Sequence, residues 1–179
     1  MKSTLLSLFL LLLAGNLSAQ SKFKKPAIKW YTWTEAIAQM EKDDEPKKIM
    51  VDLYTEWCGY CKKMDRETFT DPVVVKYVNE HFYPVKFDAE QKGSLIYAKH
   101  TFKYDPDKGR RGVHALAFAL TDGRMSYPSM VYLDENQKRI AISPGFKPGD
   151  SFMTELRYFG DNHYKVIGYE EYKKKAGRR

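Results

Sequence analysis

Residues 51–63 read Val51-Asp52-Leu53-Tyr54-Thr55-Glu56-Trp57-Cys58-Gly59-Tyr60-Cys61-Lys62-Lys63, and this stretch holds both cysteines of the chain. Together with the residues just before it, the first half alternates, placing Ile49, Val51 and Leu53 on one face and Met50, Asp52 and Tyr54 on the other. Both faces are largely apolar, which predicts a strand buried on both sides, as in a sheet flanked by helices. From Cys61 to Phe69 there is neither glycine nor proline, and the segment predicts a helix. The cysteines therefore stand where a strand turns into a helix. Such a position offers unpaired N–H groups and the positive end of a helix dipole, which favour a thiolate at Cys58. Cys61, one turn inward, is expected to be more buried and to act second. Asp52 is the misfit in the strand, because burying an unpaired carboxylate is costly. It reads either as a solvated residue near a strand end or as a buried acid of shifted pKa six positions before Cys58, and we favour the second.

Two cysteines are few for a domain stabilised by disulfides, and a bridge that closes two intervening residues restricts the unfolded chain very little. The pair is there for chemistry. The chain begins MKSTLLSLFLLLLAGNLSAQ: a single Lys2, an apolar block from Leu5 to Ala14, then small residues ending at Ala19. This predicts a secretory signal peptide over residues 1–19, since the block falls short of the roughly 20 apolar residues that span a bilayer. The expectation is a protein that is soluble outside the cytoplasm, periplasmic or extracellular. The remaining 160 residues suit one domain, placed at 26–160, with a basic extension at 161–179. Of the net charge of +7, most lies in that tail, where residues 165–179 carry six Lys/Arg against Glu170 and Glu171. A solvated, fraying terminus is the simpler account of such a run, so no nucleic-acid partner is expected.

Outward from the motif, Thr70-Asp71-Pro72 is a helix start with Pro72 in the first turn, and that helix runs to about His81. Tyr83 to Ala89 then predicts a strand. Upstream, Trp33, Ile37 and Met40 mark one face of a helix beginning after Thr34. Residues 89–126 show no long strand; they read as an insertion with a polar loop, YDPDKGRRG, and a helix at about 113–120. A strand Met130–Leu133, a turn at DENQK, a strand Arg139–Ile142 and a helix from about Asp150 to Phe159 complete a hairpin with a helix packed on the sheet.

These residues together resemble the thioredoxin fold, and among its members are most similar to secreted thioredoxin-like proteins and the C-terminal periplasmic domain of the membrane thiol:disulfide interchange reductant. VDLYTEWCGYCKK carries the aspartate, tryptophan and CxxC in register, and RETFTDPVVVKYVNEHF is similar to the segment that follows in that branch. YPVKFDAE supplies a strand with Lys86 at the position of a lysine near the buried aspartate. SYPSMVYLD matches the loop whose proline is cis, with Pro128 just before an apolar strand. The resemblance covers about residues 30–160 and implies an α/β fold, a central mixed sheet flanked by helices, with a helical insertion before the cis-proline loop.

It also implies roles. Cys58 would be the attacking thiolate and Cys61 the resolving thiol. Asp52 would exchange a proton with Cys61. Trp57, Gly59, Tyr60, Tyr127 and Pro128 would contact the substrate, and Glu56, Asp65 and Lys86 would tune the acidities, the two acids by raising the Cys58 pKa. The activity implied is a thiol:disulfide oxidoreductase that reduces protein disulfides, with no cofactor beyond its own cysteine pair and with a membrane or soluble electron donor. The Gly59-Tyr60 dipeptide has neither the proline of ordinary thioredoxins nor the histidine of oxidising members. A disulfide oxidase or isomerase, and a binding module on a thioredoxin scaffold, therefore stay open as alternatives. For the insertion, a partner-selecting lid and an appendage that completes the core are both consistent with the residues.

A metal centre is disfavoured, since with no third cysteine His81, His100, His114 and His163 would have to converge from scattered positions. Lys62 stands where haem attachment through CxxCH needs histidine.

Overall fold

The computed structural model describes residues 26–177. The expected signal peptide lies outside them, and among the described residues no helix is long and apolar enough to cross a membrane. A four-stranded mixed sheet forms the centre, in the order β2-β1-β7-β8. β1 (Lys48–Tyr54) runs parallel to β2 (Phe82–Asp88) and antiparallel to β7 (Ser129–Leu133), which pairs antiparallel with β8 (Arg139–Pro144).

The alternation of β1 works as its sequence predicts. Ile49, Val51 and Leu53 enter one core with α1 (Trp33–Met40) and α4 (Ala115–Leu120). Met50 enters the other core, against Met64 of α2 (Gly59–Glu67), Val74, Val75 and Val78 of α3 (Pro72–His81), and Phe152 and Leu156 of α5 (Gly149–Gly160). With both faces covered, six of the seven β1 residues are buried. α1 starts earlier than expected from Thr34. Thr32 caps it by accepting from Glu35 N–H, and the Glu35 carboxylate accepts from Thr32 N–H, a reciprocal pair that fixes the start at Trp33, the first residue of the apolar stripe. α3 begins as expected, with Asp71 accepting from Val73 and Val74 N–H and Pro72 in the first turn.

The insertion contains more structure than its sequence predicts. Two short hairpins precede α4: β3 (Leu95–Tyr97) with β4 (His100–Phe102), and β5 (Tyr104–Asp105) with β6 (Val113–His114). Strands of two or three residues carry no readable period, which is why the sequence shows only α4. Val113, Leu116, Ala117 and Leu120 join the α1-side core, and His114 N donates to Ala89 O at 2.7 Å, fastening the insertion to the end of β2. The tail also differs from a fraying terminus. A 3-10 turn (His163–Lys165) and α6 (Tyr169–Ala176) fold back on α5, with Tyr158 meeting the rings of Tyr169 and Tyr172 at 5.0 and 5.3 Å and donating to Ile167 O at 2.8 Å. Aromatic packing, hidden in the sequence by the lysines around it, holds this segment.

Within the insertion Gly112 has φ +78°, and a Cβ there would come within 1.9 Å of the Tyr104 hydroxyl. Gly112→Ala should therefore cost about 1–3 kcal/mol and lower Tm by several degrees in a thermal melt. An unchanged Tm would mean that the loop is not fixed in this conformation.

Candidate active site

The site forms where β1 leaves the sheet. Leu53 lies opposite Ser129, so Pro128, one residue before β7, is brought alongside the exit of β1 toward the cysteines. The Tyr127–Pro128 bond is cis, and Gly145 N donates to Pro128 O at 2.8 Å, tying this loop to the end of β8. Trp57 meets Tyr127 edge-on at 5.9 Å, and Tyr60 lies 6.1 Å from Phe146. Trp57 and Tyr60 are 52% and 65% exposed, large apolar surface left open beside the cysteines. Gly59 is exposed as well, and a side chain there would meet nothing within 4 Å.

Cys58 and Cys61 are joined in a disulfide. Cys58 is the N-cap of α2: its sulfur accepts from Cys61 N–H at 3.0 Å and its carbonyl accepts from Lys62 N–H at 3.2 Å. A sulfur thus occupies the place that a serine or aspartate oxygen usually takes at a helix start, where a backbone donor points at it. The contrast in burial expected between the two cysteines is slight, 4% against 2% exposed.

Asp52 lies on the α2-side face of β1, as its alternation with Met50 requires. It is buried; Oδ2 accepts from Lys86 Nζ at 2.6 Å, while Oδ1 has no hydrogen-bond partner among the described residues. Burial pushes its carboxyl up to about 6, against the pull of Lys86. Lys86 also bonds Asp65 of α2, and its ammonium lies over the rings of Trp30, Tyr54 and Phe69, each about 5 Å away. Burial disfavours the lysine's charge, but the two carboxylates outweigh it and hold Lys86 above its ordinary range. The structure thus puts Asp65 in contact with Lys86. Glu56 is exposed, and its charge acts on Tyr54 and Asp88.

Four residues that the sequence did not single out belong to the surroundings. Glu155, 2% exposed, accepts from Tyr132 Oη at 2.9 Å and Ser143 Oγ at 2.7 Å. Lys147 donates to the Ser143 and Gly145 carbonyls at 3.1 and 3.2 Å and lies 3.8 Å from Glu155. This pair holds the end of β8 and, through Gly145, the Pro128 loop. Glu155 had a readable signal, a charge inside the inward stripe Phe152, Leu156, Phe159. Glu90, which accepts from Trp57 Nε1 at 2.9 Å, and Arg111, 3.8 Å from Glu90, had none, because the folded insertion alone brings them there.

His114 is a core residue. Its Nδ1 accepts from Leu116 N–H at 3.2 Å while Nε2 faces Gly93 O at 3.0 Å, and burial lowers its pKa. No group of three or more His, Cys, Asp or Glu suited to a metal occurs among the described residues.

A family model described as "Thioredox_DsbH: Protein of unknown function, DUF255" matches residues 17–148. The chain is 28% identical over 116 residues to the thiol:disulfide interchange protein DsbD of Pectobacterium atrosepticum, covering 64% of this chain and 17% of that protein. It spans less than a fifth of the length of the curated relatives it matches. Among solved structures, a "DsbH Oxidoreductase" aligns over 85% of this chain and 94% of its own at a TM-score of 0.53 and 17% identity. A thioredoxin-fold protein from Helicobacter pylori aligns over 79% and 92% at 0.55 and 20%. At these identities the likeness establishes a thioredoxin fold.

The acidity of Asp52 sets a pH dependence. Its ordinary value is 3.8 and its folded value about 6, so the folded state binds the proton more tightly. Its contribution to stability is therefore fully present below about pH 4 and is lost as the pH rises through 6, a difference of about 3 kcal/mol at most. Asp52→Asn should be more stable than the parent at about pH 8, by about 2 kcal/mol, with the difference fading toward pH 4. Urea unfolding at both pH values measures this; an Asn variant less stable at pH 8 would show that the carboxylate is held by Lys86 more than it is penalised by burial.

Proposed function

The chain belongs to the Thioredox_DsbH family of thioredoxin-fold proteins, and from that premise we propose that it is a thiol:disulfide oxidoreductase that reduces protein disulfides outside the cytoplasm. The observation that carries the reading is the Cys58–Cys61 pair at the N-terminus of α2, with Cys58 as its cap, on the face of the sheet where Asp52 is buried and at the same sheet end as the cis-Pro128 loop. The Cys58 thiolate attacks one sulfur of a substrate disulfide, and the other substrate sulfur leaves as a thiolate. A mixed disulfide results. The Cys61 thiol then gives its proton toward Asp52 and attacks Cys58 Sγ, releasing the second substrate sulfur as a thiolate. Two electrons pass to the substrate and the pair becomes the disulfide. An acid that titrates near 6 suits this step, since it is available as a base at neutral pH and returns the proton readily.

The backbone beside Pro128 supports substrate binding. Among the described residues the Tyr127 N–H and C=O make no hydrogen bond, so an extended substrate segment can pair there as an added strand. Exposed Trp57 and Tyr60 flank the position.

The reducing direction rests on what faces Cys58. Its sulfur accepts a single hydrogen bond among the described residues, from Cys61 N–H, and Gly59-Tyr60 carries no charge. Strong oxidants of this kind depend on a stabilised reduced form, and no cation from the dipeptide stabilises a thiolate here. The pair must be rereduced by an electron donor, in membrane or solution. The extracytoplasmic location rests on the leader at residues 1–19.

Cys61→Ser should trap substrates as mixed disulfides on Cys58, visible as adducts on non-reducing gels and cleared by dithiothreitol, while Cys58→Ser should trap none and lose turnover by at least about 10³-fold. Equal capture by both variants, resistant to dithiothreitol, would indicate a binding module instead.

A further inference from the structure

On the insertion side of Trp57 lies a cleft of about 680 Å³, walled by Trp57, Tyr127, Met125 and Val113, with Arg110 and Arg111 among its lining residues. Trp57, next to Cys58 in the chain, forms one of its walls. We propose that this cleft docks an extended substrate segment carrying an aspartate or glutamate next to an apolar side chain, and that Arg110 and Arg111 select it. The proposal rests on the reductase reading in one respect, that the segment belongs to the protein whose disulfide is reduced.

The loop that carries the arginines is built rather than loose. Tyr104 Oη donates to the Arg111 carbonyl, Gly112 supplies the left-handed turn, and Asp105 accepts from Asp107 N–H at 3.1 Å and pairs with Lys108 at 3.3 Å. β6, immediately after the loop, is fastened to the end of β2. The backbone that presents the two arginines is thus fixed at the cleft, so little main-chain freedom is left to lose on binding.

The charges there are unbalanced. Asp105 is engaged by Lys108, and Asp122 by Arg139 at 2.7 Å. Arg110 is exposed and forms no ion pair with any described residue. Arg111 lies over the Trp57 ring at 5.9 Å, and its carboxylate neighbour among the described residues, Glu90 at 3.8 Å, also accepts from Trp57 Nε1. Arg110 is therefore unpaired among the described residues, and the carboxylate beside Arg111 already serves a second donor. Asp88 and Glu56 act on Tyr54 and neither lines the cleft, although the Asp88 charge also reaches Tyr127 at its wall. An incoming carboxylate finds planar donors suited to paired hydrogen bonds, and a neighbouring apolar side chain finds the two aromatic rings, Met125 and Val113. A lysine-bearing segment would meet like charge, so the same groups attract one class of substrate and repel the other.

Two measurements on the mature, disulfide-bonded protein test this. Cysteine-free extended peptides that differ only in carrying Glu-Phe-Asp or Lys-Phe-Lys are titrated in, following tryptophan fluorescence; the same sequences joined in disulfides to a neutral thiol are then offered to the reduced protein. The acidic peptide should bind about 10-fold tighter at low salt, and the preference should shrink at high salt. It should vanish or invert in Arg110→Glu/Arg111→Glu, checked for folding by circular dichroism. Acidic preference in binding with no reduction of either disulfide would support the cleft and sink the reductase reading. Reduction of both disulfides, with equal affinity for both peptides, would overturn the cleft assignment and leave the reductase reading standing. The salt dependence of the parent protein decides the matter even if the double variant does not fold.

Discussion

A carboxylate buried in the sheet is the constraint around which the rest of this molecule is arranged. Asp52 sits in a strand covered on both faces, where an ionised side chain is costly. What keeps it there is Lys86, its register partner on β2, 2.6 Å away. Lys86 in turn reaches Asp65 on the cysteine-bearing helix and lies among three aromatic rings. The link therefore runs from β1 through β2 to α2. Because Oδ1 is left without a hydrogen-bond partner, the group is poised to hold a proton rather than fully compensated. A core that needed only stability would place an apolar residue here.

The same economy shows in the frame around the cysteines. Lys147 and Glu155 hold the end of β8 from the α5 side, and Gly145 passes that restraint to Pro128. Glu90 and Arg111 act on Trp57 from the insertion side. The insertion serves two ends, since Val113, Leu116 and Leu120 complete the core while residues 110–112 form part of a cleft beside the exposed tryptophan. Of the two readings of its sequence, the appendage that completes the core is seen directly, and partner selection is the proposal made for the cleft.

Much of this was legible in the residues. The alternation Ile49, Val51, Leu53 against Met50, Asp52 fixes which side of the sheet the acid faces, and Thr70-Asp71-Pro72 marks the start of α3, with Asp71 rather than Thr70 as the cap. The resemblance of SYPSMVYLD located the cis-proline loop. Illegible features share a physical reason: they depend on tertiary contacts of short or charged segments. β5 and β6 are two residues each and pair only because Gly112 and Tyr104 shape the loop between them. The C-terminal tail reads as a charge run, yet Tyr169 and Tyr172 pack on Tyr158. Glu155 was readable by the logic that found Asp52, as a charge in an apolar stripe, and its partners Tyr132 and Ser143 come from the two preceding strands, β7 and β8.

The direction of electron flow is the central claim, and the reduction potential of the Cys58/Cys61 pair tests it most directly. The mature protein would be equilibrated in dithiothreitol or glutathione buffers and the redox state followed by Trp57 fluorescence. The account predicts a value near the thioredoxin end of the scale, ~ −270 mV; a value near ~ −120 mV would show a stabilised thiolate and an oxidase, contradicting it.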